Sequence, residues 1–203
     1  MCNNFEFTDK IDEYISNYNK LMNKAVFLDR DGVINKIFKK NGLPFSPPNF
    51  EQFEILPGVK ESIIKFKKLN FYSIIITNQP DVSRGKIKKK TVLKMNDHIK
   101  KEIKIDDIFV CFHDDHDNCD CRKPKPGLIH NAIKKWNINI NKSFMIGDRK
   151  KDIDAGKSAG CKTIFLDYNY NEAKPDKPDF ITNTLLDAAL IIEKDLITNE
   201  NKK

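Results

Sequence analysis

The sequence predicts an α/β fold, a Rossmann-like three-layer sandwich built on a parallel sheet. Short apolar runs alternate along the chain with longer segments of helical spacing. The runs are rich in β-branched and aromatic residues and are apolar on both faces, as strands buried between two helical layers are. The 203 residues suffice for one such domain and are too few for two ordinary ones.

Five strands and five helices make up the predicted domain, which we assign to residues 24–198. The strands are predicted at residues 25–28, 72–76, 108–110, 144–146 and 163–166. The helices are predicted at residues 59–69, 88–103, 128–136, 153–159 and 185–196. We further expect a helical extension at residues 1–23, an irregular flap at residues 35–53 and a tail at residues 199–203. The little sequence inserted between these elements predicts that there is no large cap domain.

The composition narrows the class of protein. A net charge of +7 and a pI near 9.0 fit an anionic partner, either a phosphorylated metabolite or a nucleic acid. No apolar run approaches the length of about 20 residues that a membrane helix needs, so we expect no membrane partner. The first twenty residues have no continuous apolar centre, and we therefore expect a cytoplasmic protein whose thiols stay reduced.

The strongest motif is FLDRDG, in which a predicted buried strand ends at Asp29 and a second carboxylate follows at Asp31. Open α/β sheets bind their ligands at the carboxyl ends of strands. Two carboxylates so close together can divide the chemistry, one staying ionised as nucleophile and metal ligand while the other carries a proton. The competing interpretation is a plain turn, because aspartates followed by Gly32 often build turns.

Two further strand ends carry polar residues. Thr77, Asn78 and Gln79 follow one predicted strand and offer a hydroxyl and two amides to phosphate oxygens. Asp148 and Asp152 follow another strand, at its junction with a helix. Each residue could instead cap a helix. We prefer a shared crevice with Asp29, because it accounts for all of these residues at once.

A second constellation, Cys111, His113, Cys119 and Cys121, offers three thiolates and one imidazole, a complete tetrahedral set for structural zinc. The residues between His113 and Cys119 are all polar, so this loop cannot be ordered by burying apolar side chains. A bound metal would order it instead. The competing interpretation is a surface loop with free thiols. His116 is an alternative ligand, although His113 lies closer to Cys111.

These motifs resemble those of the haloacid dehalogenase (HAD) superfamily of phosphohydrolases. The resemblance spans residues 24–190 and rests on FLDRDG, IIITNQ, the lysine of CRKPKPG, and GDRKKD. It implies that Asp29 attacks phosphorus and that Asp31 protonates the leaving oxygen and then activates water. It also implies a magnesium ion held by Asp29, the backbone carbonyl of Asp31, and Asp148. Thr77 and Lys123 would bind the phosphoryl oxygens, and Asp152 would orient Lys123.

Within the superfamily, the segment of residues 111–121, which we call the zinc loop, resembles that of two groups, the histidinol-phosphate phosphatases and the heptose-bisphosphate phosphatases. The five residues between His113 and Cys119 suit the first group, whereas Arg84-Gly85 and Lys125-Pro126-Gly127 suit the second. The resemblance implies that Asn78, Arg84 and Arg122 contact the substrate. We therefore expect a monomeric enzyme acting on a small phosphorylated metabolite, preferably a sugar phosphate such as D-glycero-D-manno-heptose 1,7-bisphosphate.

A different class of function is a basic zinc module that binds nucleic acid without catalysis. In such a module the positive charge would bind the nucleic acid, and the carboxylates would have only a structural role. We disfavour it because the acidic cluster lies where a basic groove is needed, and because no aromatic stacking pattern accompanies the lysines. We expect no nucleic-acid partner.

Overall fold

The computed structural model describes residues 22–200, with side chains to residue 199. Six parallel strands form one sheet. They are β1 (Lys24–Leu28), β4 (Phe71–Asn78), β5 (Asp107–Cys111), β6 (Phe144–Gly147), β7 (Lys162–Leu166) and β8 (Phe180–Thr182). Their order across the sheet is β5-β4-β1-β6-β7-β8. The strands β2 (Phe38–Lys40) and β3 (Leu43–Phe45) pair separately as an antiparallel hairpin.

Five α-helices in the described region cover the sheet. They are α1 (Val59–Lys68), α2 (Lys89–Ile103), α3 (Gly127–Trp136), α4 (Lys150–Ala159) and α5 (Leu185–Glu200). None of the helices in this part of the chain is long and apolar enough to cross a membrane.

Alternate side chains of the central strands pack into two separate cores, one on each face of the sheet. Val26 and Leu28 of β1 pack in a cluster with residues of α1, α2 and α5. Ala25 and Phe27 of the same strand pack in the other cluster, with residues of α3 and α4. Neighbouring strand residues point to opposite faces, so a strand that is apolar throughout can sit between two helical layers. The predicted three-layer α/β fold is confirmed.

The flap predicted at residues 35–53 is more regular than expected. Residues 38–45 form the β2–β3 hairpin, whose turn is made by Asn41 and Gly42, both at positive φ. Pro44 lies within β3, which a two-stranded hairpin tolerates because each strand has one unpaired edge. The prediction that this segment contains no strand is therefore wrong for these residues.

The ends of the chain differ from expectation in part. Strand β8 was not predicted, and α5 continues to Glu200, so Asn199 lies in a helix rather than in the predicted tail. The helical extension predicted for residues 1–23 lies outside the described residues up to residue 21, and so do tail residues 201–203.

Candidate active site and metal centre

The carboxyl ends of the central strands meet at a switch point of the sheet. Chain order runs from β1 through β4 to β5 on one side, and from β6 through β7 to β8 on the other. Ligands of open parallel sheets bind in the crevice at such a point. Asp29 directly follows β1, and Asp148 directly follows β6. Thr77 is the second-to-last residue of β4.

Lys123 links two of the buried carboxylates. Its ammonium lies 2.7 Å from Asp29 Oδ1 and 2.7 Å from Asp152 Oδ1, and it donates a hydrogen bond to the backbone oxygen of Ile76. The Lys123 and Asp152 side chains are fully buried. The contact between them is the one expected if Asp152 orients Lys123.

A cluster of three acidic side chains faces this single ammonium. Carboxylate oxygens of Asp29, Asp148 and Asp152 lie within 4.8 Å of one another, and all three residues are buried. Burial and the neighbouring carboxylates raise the pKa of Asp29 and raise the pKa of Asp148 well above its usual value. Among the described residues, Lys123 is the only side chain in ion-pair contact with the cluster. With all three carboxylates ionised, these groups and Lys123 carry a net charge of −2, which the more distant Lys151 offsets only in part.

The Asp148 carboxylate has the features of a ligand for a divalent cation. Its Oδ1 atom is buried and has no hydrogen-bond partner among the described residues. A buried carboxylate oxygen without a partner is costly, and Mg²⁺ prefers oxygen ligands of this kind. The excess charge of the cluster equals that of one divalent cation. The residues present fit a magnesium ion on both grounds.

Gly32 makes room for Asp148. It has a φ of +93°, and a Cβ atom at this position would lie 1.9 Å from Asp148 Oδ2. Any larger residue would collide with the carboxylate and would also be strained in this backbone conformation. The glycine of FLDRDG therefore lets the loop after β1 approach the end of β6.

The Asp31 carboxylate accepts hydrogen bonds from four side chains. Arg30, which is fully buried, donates to both carboxylate oxygens at 2.9 and 3.0 Å. Asn35 donates to Oδ1, and Gln79 and Ser46 donate to Oδ2, over 2.7–2.9 Å. Burial opposes the charge of Asp31, but Arg30 and the amide donors outweigh it and hold its pKa below the usual value. The ionised form of Asp31 is thus the stabilised one.

Thr77 and Asn78 have different surroundings. Thr77 Oγ1 accepts a hydrogen bond from Gln79 at 3.0 Å and is buried beside Asp29's strand. The Asn78 amide, which we expected to face the substrate, donates to the backbone oxygen of Lys123 and accepts from its N–H. Asn78 therefore anchors the backbone of Lys123.

The four residues predicted to bind zinc lie together. Their sulfur–sulfur distances are 3.3–3.7 Å, and His113 Nδ1 lies 3.2 Å from Cys121 Sγ and 3.7 Å from Cys111 Sγ. Sulfurs arranged tetrahedrally at about 2.3 Å from zinc would lie about 3.8 Å apart. The cluster has the composition and nearly the spacing of a tetrahedral metal site, with His113 facing it through Nδ1.

His116 does not belong to this cluster. Its side chain is 77% exposed and lies near the carboxylates of Asp114 and Asp117, at 3.9 and 3.8 Å. It sits in a short 3-10 helix, Asp115–Asp117, whose start is capped by Asp114. The alternative ligand considered from the sequence is thus exposed to solvent and lies outside the group of four.

Arg84 and Arg122 both bind acidic residues of the zinc loop. Arg84 forms a bidentate pair with Asp114, with N–O distances of 2.5 and 2.7 Å. Arg122 Nε donates to Asp115 at 2.7 Å. The Arg84 pair is strong enough to lower the pKa of Asp114 to about 2. Arg84 thus connects the segment after β4 to the zinc loop, and Arg122 ties the end of that loop back to its middle.

Curated bacterial relatives align with most of the chain. The D-glycero-alpha-D-manno-heptose-1,7-bisphosphate 7-phosphatase of Photorhabdus laumondii is 35% identical over 189 residues, covering 87% of this chain and 99% of that protein. The D-glycero-beta-D-manno-heptose-1,7-bisphosphate 7-phosphatase of Pasteurella multocida is 34% identical, covering 71% of this chain and 82% of that protein. A family model described as HAD-hydrolase-like matches residues 120–188. The chain belongs to the HAD phosphatases.

A solved structure shares the fold of this HAD phosphatase. The D,D-heptose 1,7-bisphosphate phosphatase from B. bronchiseptica, complexed with magnesium and phosphate, superposes with a TM-score of 0.72 at 24% identity. The match covers 85% of this chain and 99% of that one. As its relatives do, this HAD phosphatase hydrolyses phosphate esters.

The structure adds two residues to the site of this HAD phosphatase that no sequence pattern singled out. Arg30 donates to Asp31 from the buried side, and Tyr170 contacts Asp148 across 22 residues of sequence. The amide of Gln79, which we expected to face phosphate oxygens, donates to Thr77 and Asp31. Tyr170 lies in no recognisable motif, so only the folded chain reveals it.

Proposed function

We propose that the enzyme removes the 7-phosphate of D-glycero-D-manno-heptose 1,7-bisphosphate. The observation that carries this proposal is the 35% identity to the Photorhabdus laumondii 7-phosphatase over 99% of that protein. The relatives act, by name, on either the alpha or the beta anomer. The buried cluster of Asp29, Asp148 and Lys123 gives the site the groups that a phosphatase needs.

Magnesium is the cofactor that we propose for this cluster. The side chains of Asp29 and Asp148 and the backbone carbonyl of Asp31 would hold the ion. When bound, it would neutralise charge on the substrate phosphate and on the attacking carboxylate. The unpartnered Asp148 Oδ1 and the excess negative charge support this assignment.

The chain's own residues would carry the bond changes. Asp29 attacks phosphorus and forms an aspartyl-phosphate while the P–O bond to the sugar breaks. Asp31 gives its proton to the departing sugar oxygen, and then takes a proton from the water that hydrolyses the aspartyl-phosphate. The arriving phosphate dianion favours the protonated form of Asp31 in the first step, and the donors around Asp31 favour its ionised form in the second.

Lys123 and Thr77 would bind the phosphoryl oxygens. Lys123 already contacts Asp29, so its charge lies next to the attacked phosphorus. Asp152 keeps this ammonium in place, and Asn78 fixes the backbone that carries it. Charge that develops on the transferring phosphoryl group thus meets a preorganised cation.

We propose that the second cluster holds one structural zinc ion. Zinc would fix the loop that carries Asp114 and Asp115, and through them would place Arg84 and Arg122 beside the crevice. Arginines so placed suit the second phosphate of a bisphosphate. The free thiols of the cluster also suit a reducing cytoplasm, and we propose a cytoplasmic monomer that binds no nucleic acid.

A substrate panel tests the function. Phosphate release would be measured with both anomers of the heptose 1,7-bisphosphate, with histidinol phosphate and with common sugar monophosphates, using Asp29→Asn as the background control. We expect kcat/KM to be at least about 10-fold higher for one heptose anomer than for any other compound, which corresponds to about 1.4 kcal/mol of transition-state discrimination. A clear preference for histidinol phosphate would overturn the substrate assignment.

A further inference from the structure

Tyr170 forms a hydrogen bond with Asp148, the carboxylate proposed to bind magnesium. Its hydroxyl donates a hydrogen bond to Asp148 Oδ2 at 2.8 Å. The other oxygen, Oδ1, is buried and has no hydrogen-bond partner among the described residues. The carboxylate is thus divided into one oxygen held by the protein and one oxygen left for a ligand.

The segment that carries Tyr170 is docked onto the β2–β3 hairpin. Asn171 N–H donates to the backbone oxygen of Gly42 at 2.9 Å, and Lys39 Nζ donates to the backbone oxygen of Tyr168 at 3.3 Å. The Lys39 ammonium also lies 5.1 Å from the centroid of the Tyr170 ring, within the range of a cation–π interaction. These contacts on both sides fix the position of the ring.

The close approach of the two segments depends on Gly42. A Cβ atom at this residue would lie 2.9 Å from Asn171 Cβ, and its φ of +76° is one that other residues rarely adopt. The hairpin turn is therefore shaped to accept the segment after β7. Tyr170 reaches Asp148 from that docked segment.

We propose that Tyr170 is a positioning residue for the magnesium ligand Asp148. Its hydroxyl fixes the rotation of the carboxylate, so that Oδ1 faces the cluster formed with Asp29. This inference rests on the magnesium site of the proposed function.

Donors that orient a metal ligand commonly contribute about 10- to 100-fold to metal affinity. Removal of the Tyr170 hydroxyl should therefore weaken Mg²⁺ binding, because Asp148 would be free to rotate and Oδ2 would lose its only side-chain donor among the described residues. The chemical step uses groups other than Tyr170. The kcat at saturating Mg²⁺ should consequently change far less than the Mg²⁺ affinity.

The test compares Tyr170→Phe with Tyr168→Phe. Tyr168 lies in the same segment, and its ring centroid is 5.8 Å from that of Tyr170. Its hydroxyl makes no hydrogen bond within the described part of the chain, so its removal breaks none there. Mg²⁺ binding to each full-length protein would be measured by isothermal titration calorimetry without substrate. Thermal melting in EDTA would establish that both variants are folded, and phosphate release would be measured at several Mg²⁺ concentrations.

We expect the Mg²⁺ dissociation constant of Tyr170→Phe to rise about 10- to 100-fold, with kcat at saturating Mg²⁺ within a few-fold of wild type. Tyr168→Phe should bind Mg²⁺ as the wild type does. Wild-type affinity in Tyr170→Phe, with Mg²⁺-dependent wild-type activity intact, would overturn the role of Tyr170 and leave the proposed function standing. A wild-type protein that hydrolyses phosphate esters without binding Mg²⁺ would overturn both the metal site and this inference.

Discussion

At the scale of the residue, the main feature of the site is a buried lysine paired with buried carboxylates. The Lys123 ammonium is enclosed by Asp29, Asp152 and a backbone oxygen, with no exposure of its side chain to solvent. Removing one partner of such a group is strongly destabilising, commonly by about 3–5 kcal/mol, because the other charge stays buried. The arrangement is tolerable here because each charge has an opposite charge at 2.7 Å.

Asp29→Asn is the sharpest test of the nucleophile. Asparagine has almost the same shape but cannot form the aspartyl-phosphate, so we expect phosphate release to fall by on the order of 1,000-fold or more. The fold should persist, because Lys123 keeps Asp152 as a counter-ion at 2.7 Å and because the substitution removes one carboxylate from a repelling cluster. The measurements are phosphate release with the best substrate and the thermal midpoint.

Asp154→Asn provides a matched control for this substitution. Asp154 forms a surface pair with Lys150 one turn away on α4, at 2.9 Å, and such pairs contribute little. Its activity should stay close to that of the wild type. Turnover retained in Asp29→Asn at the level of this control would eliminate the covalent mechanism.

At the scale of the element, the middle of the zinc loop has no core of its own to order it, although the three cysteines that flank it pack against the core on one face of the sheet. Residues 114–118 contain no apolar side chain. Burial raises the pKa of the Cys111 thiol to about 12, so its thiolate form is unfavourable there without a cation. A metal bound by Cys111, His113, Cys119 and Cys121 would remove that penalty and close the loop at once.

Cys119→Ser should lose the metal from this loop. Wild-type protein purified without added zinc should contain about one zinc per chain by elemental analysis, and the variant should contain almost none. Its KM for the bisphosphate should rise, because Asp114 and Asp115 would no longer hold Arg84 and Arg122 in place. Cys161→Ser is the control, since Cys161 is buried away from the cluster and should leave the zinc content unchanged. Zinc absent from the wild type would refute the metal assignment.

The elements differ in how far the sequence determines them. Strands β1, β4, β6 and β7 are marked in the sequence by apolar runs, because both of their faces are buried. The edge strand β5 also has an apolar run, although its middle residues are only partly buried. The β2–β3 hairpin and β8 were not predicted, since three-residue strands carry too little periodicity. Side-chain partners such as Tyr170 are similarly hidden, because their contacts depend on how loops dock and not on spacing within the chain.

At the scale of the whole molecule, the sheet order concentrates negative charge. Strands β1 and β6 are neighbours, so the carboxylates that follow them, Asp29 and Asp148, are forced into one crevice. Motif order alone indicated that these residues are functional. Their mutual electrostatic cost could not be read from the sequence, since it depends on burial and on how close Lys123 and Lys151 lie to the carboxylates.

This arrangement predicts that the active site lowers the stability of the metal-free protein. Asp148→Asn removes one of the repelling charges and keeps an oxygen that can accept the Tyr170 hydrogen bond. In EDTA, the variant should therefore melt at a higher temperature than the wild type, by about 2–4 °C for each kcal/mol gained in a chain of this size. Activity should be lost, because Asp148 supplies a metal ligand in the proposed site.

Magnesium should reverse that order of stability. At a concentration of about 100 times its dissociation constant, a ligand bound only by the folded state adds about 2.7 kcal/mol, so the wild-type midpoint should rise by about 5–11 °C. Asp148→Asn should respond much less, while Asp154→Asn should follow the wild type. Differential scanning calorimetry in EDTA and in Mg²⁺ measures all three proteins. An Asp148→Asn protein that melts below the wild type in EDTA would show that the buried carboxylate is compensated by the fold itself, and a full Mg²⁺ response in that variant would remove Asp148 from the metal site.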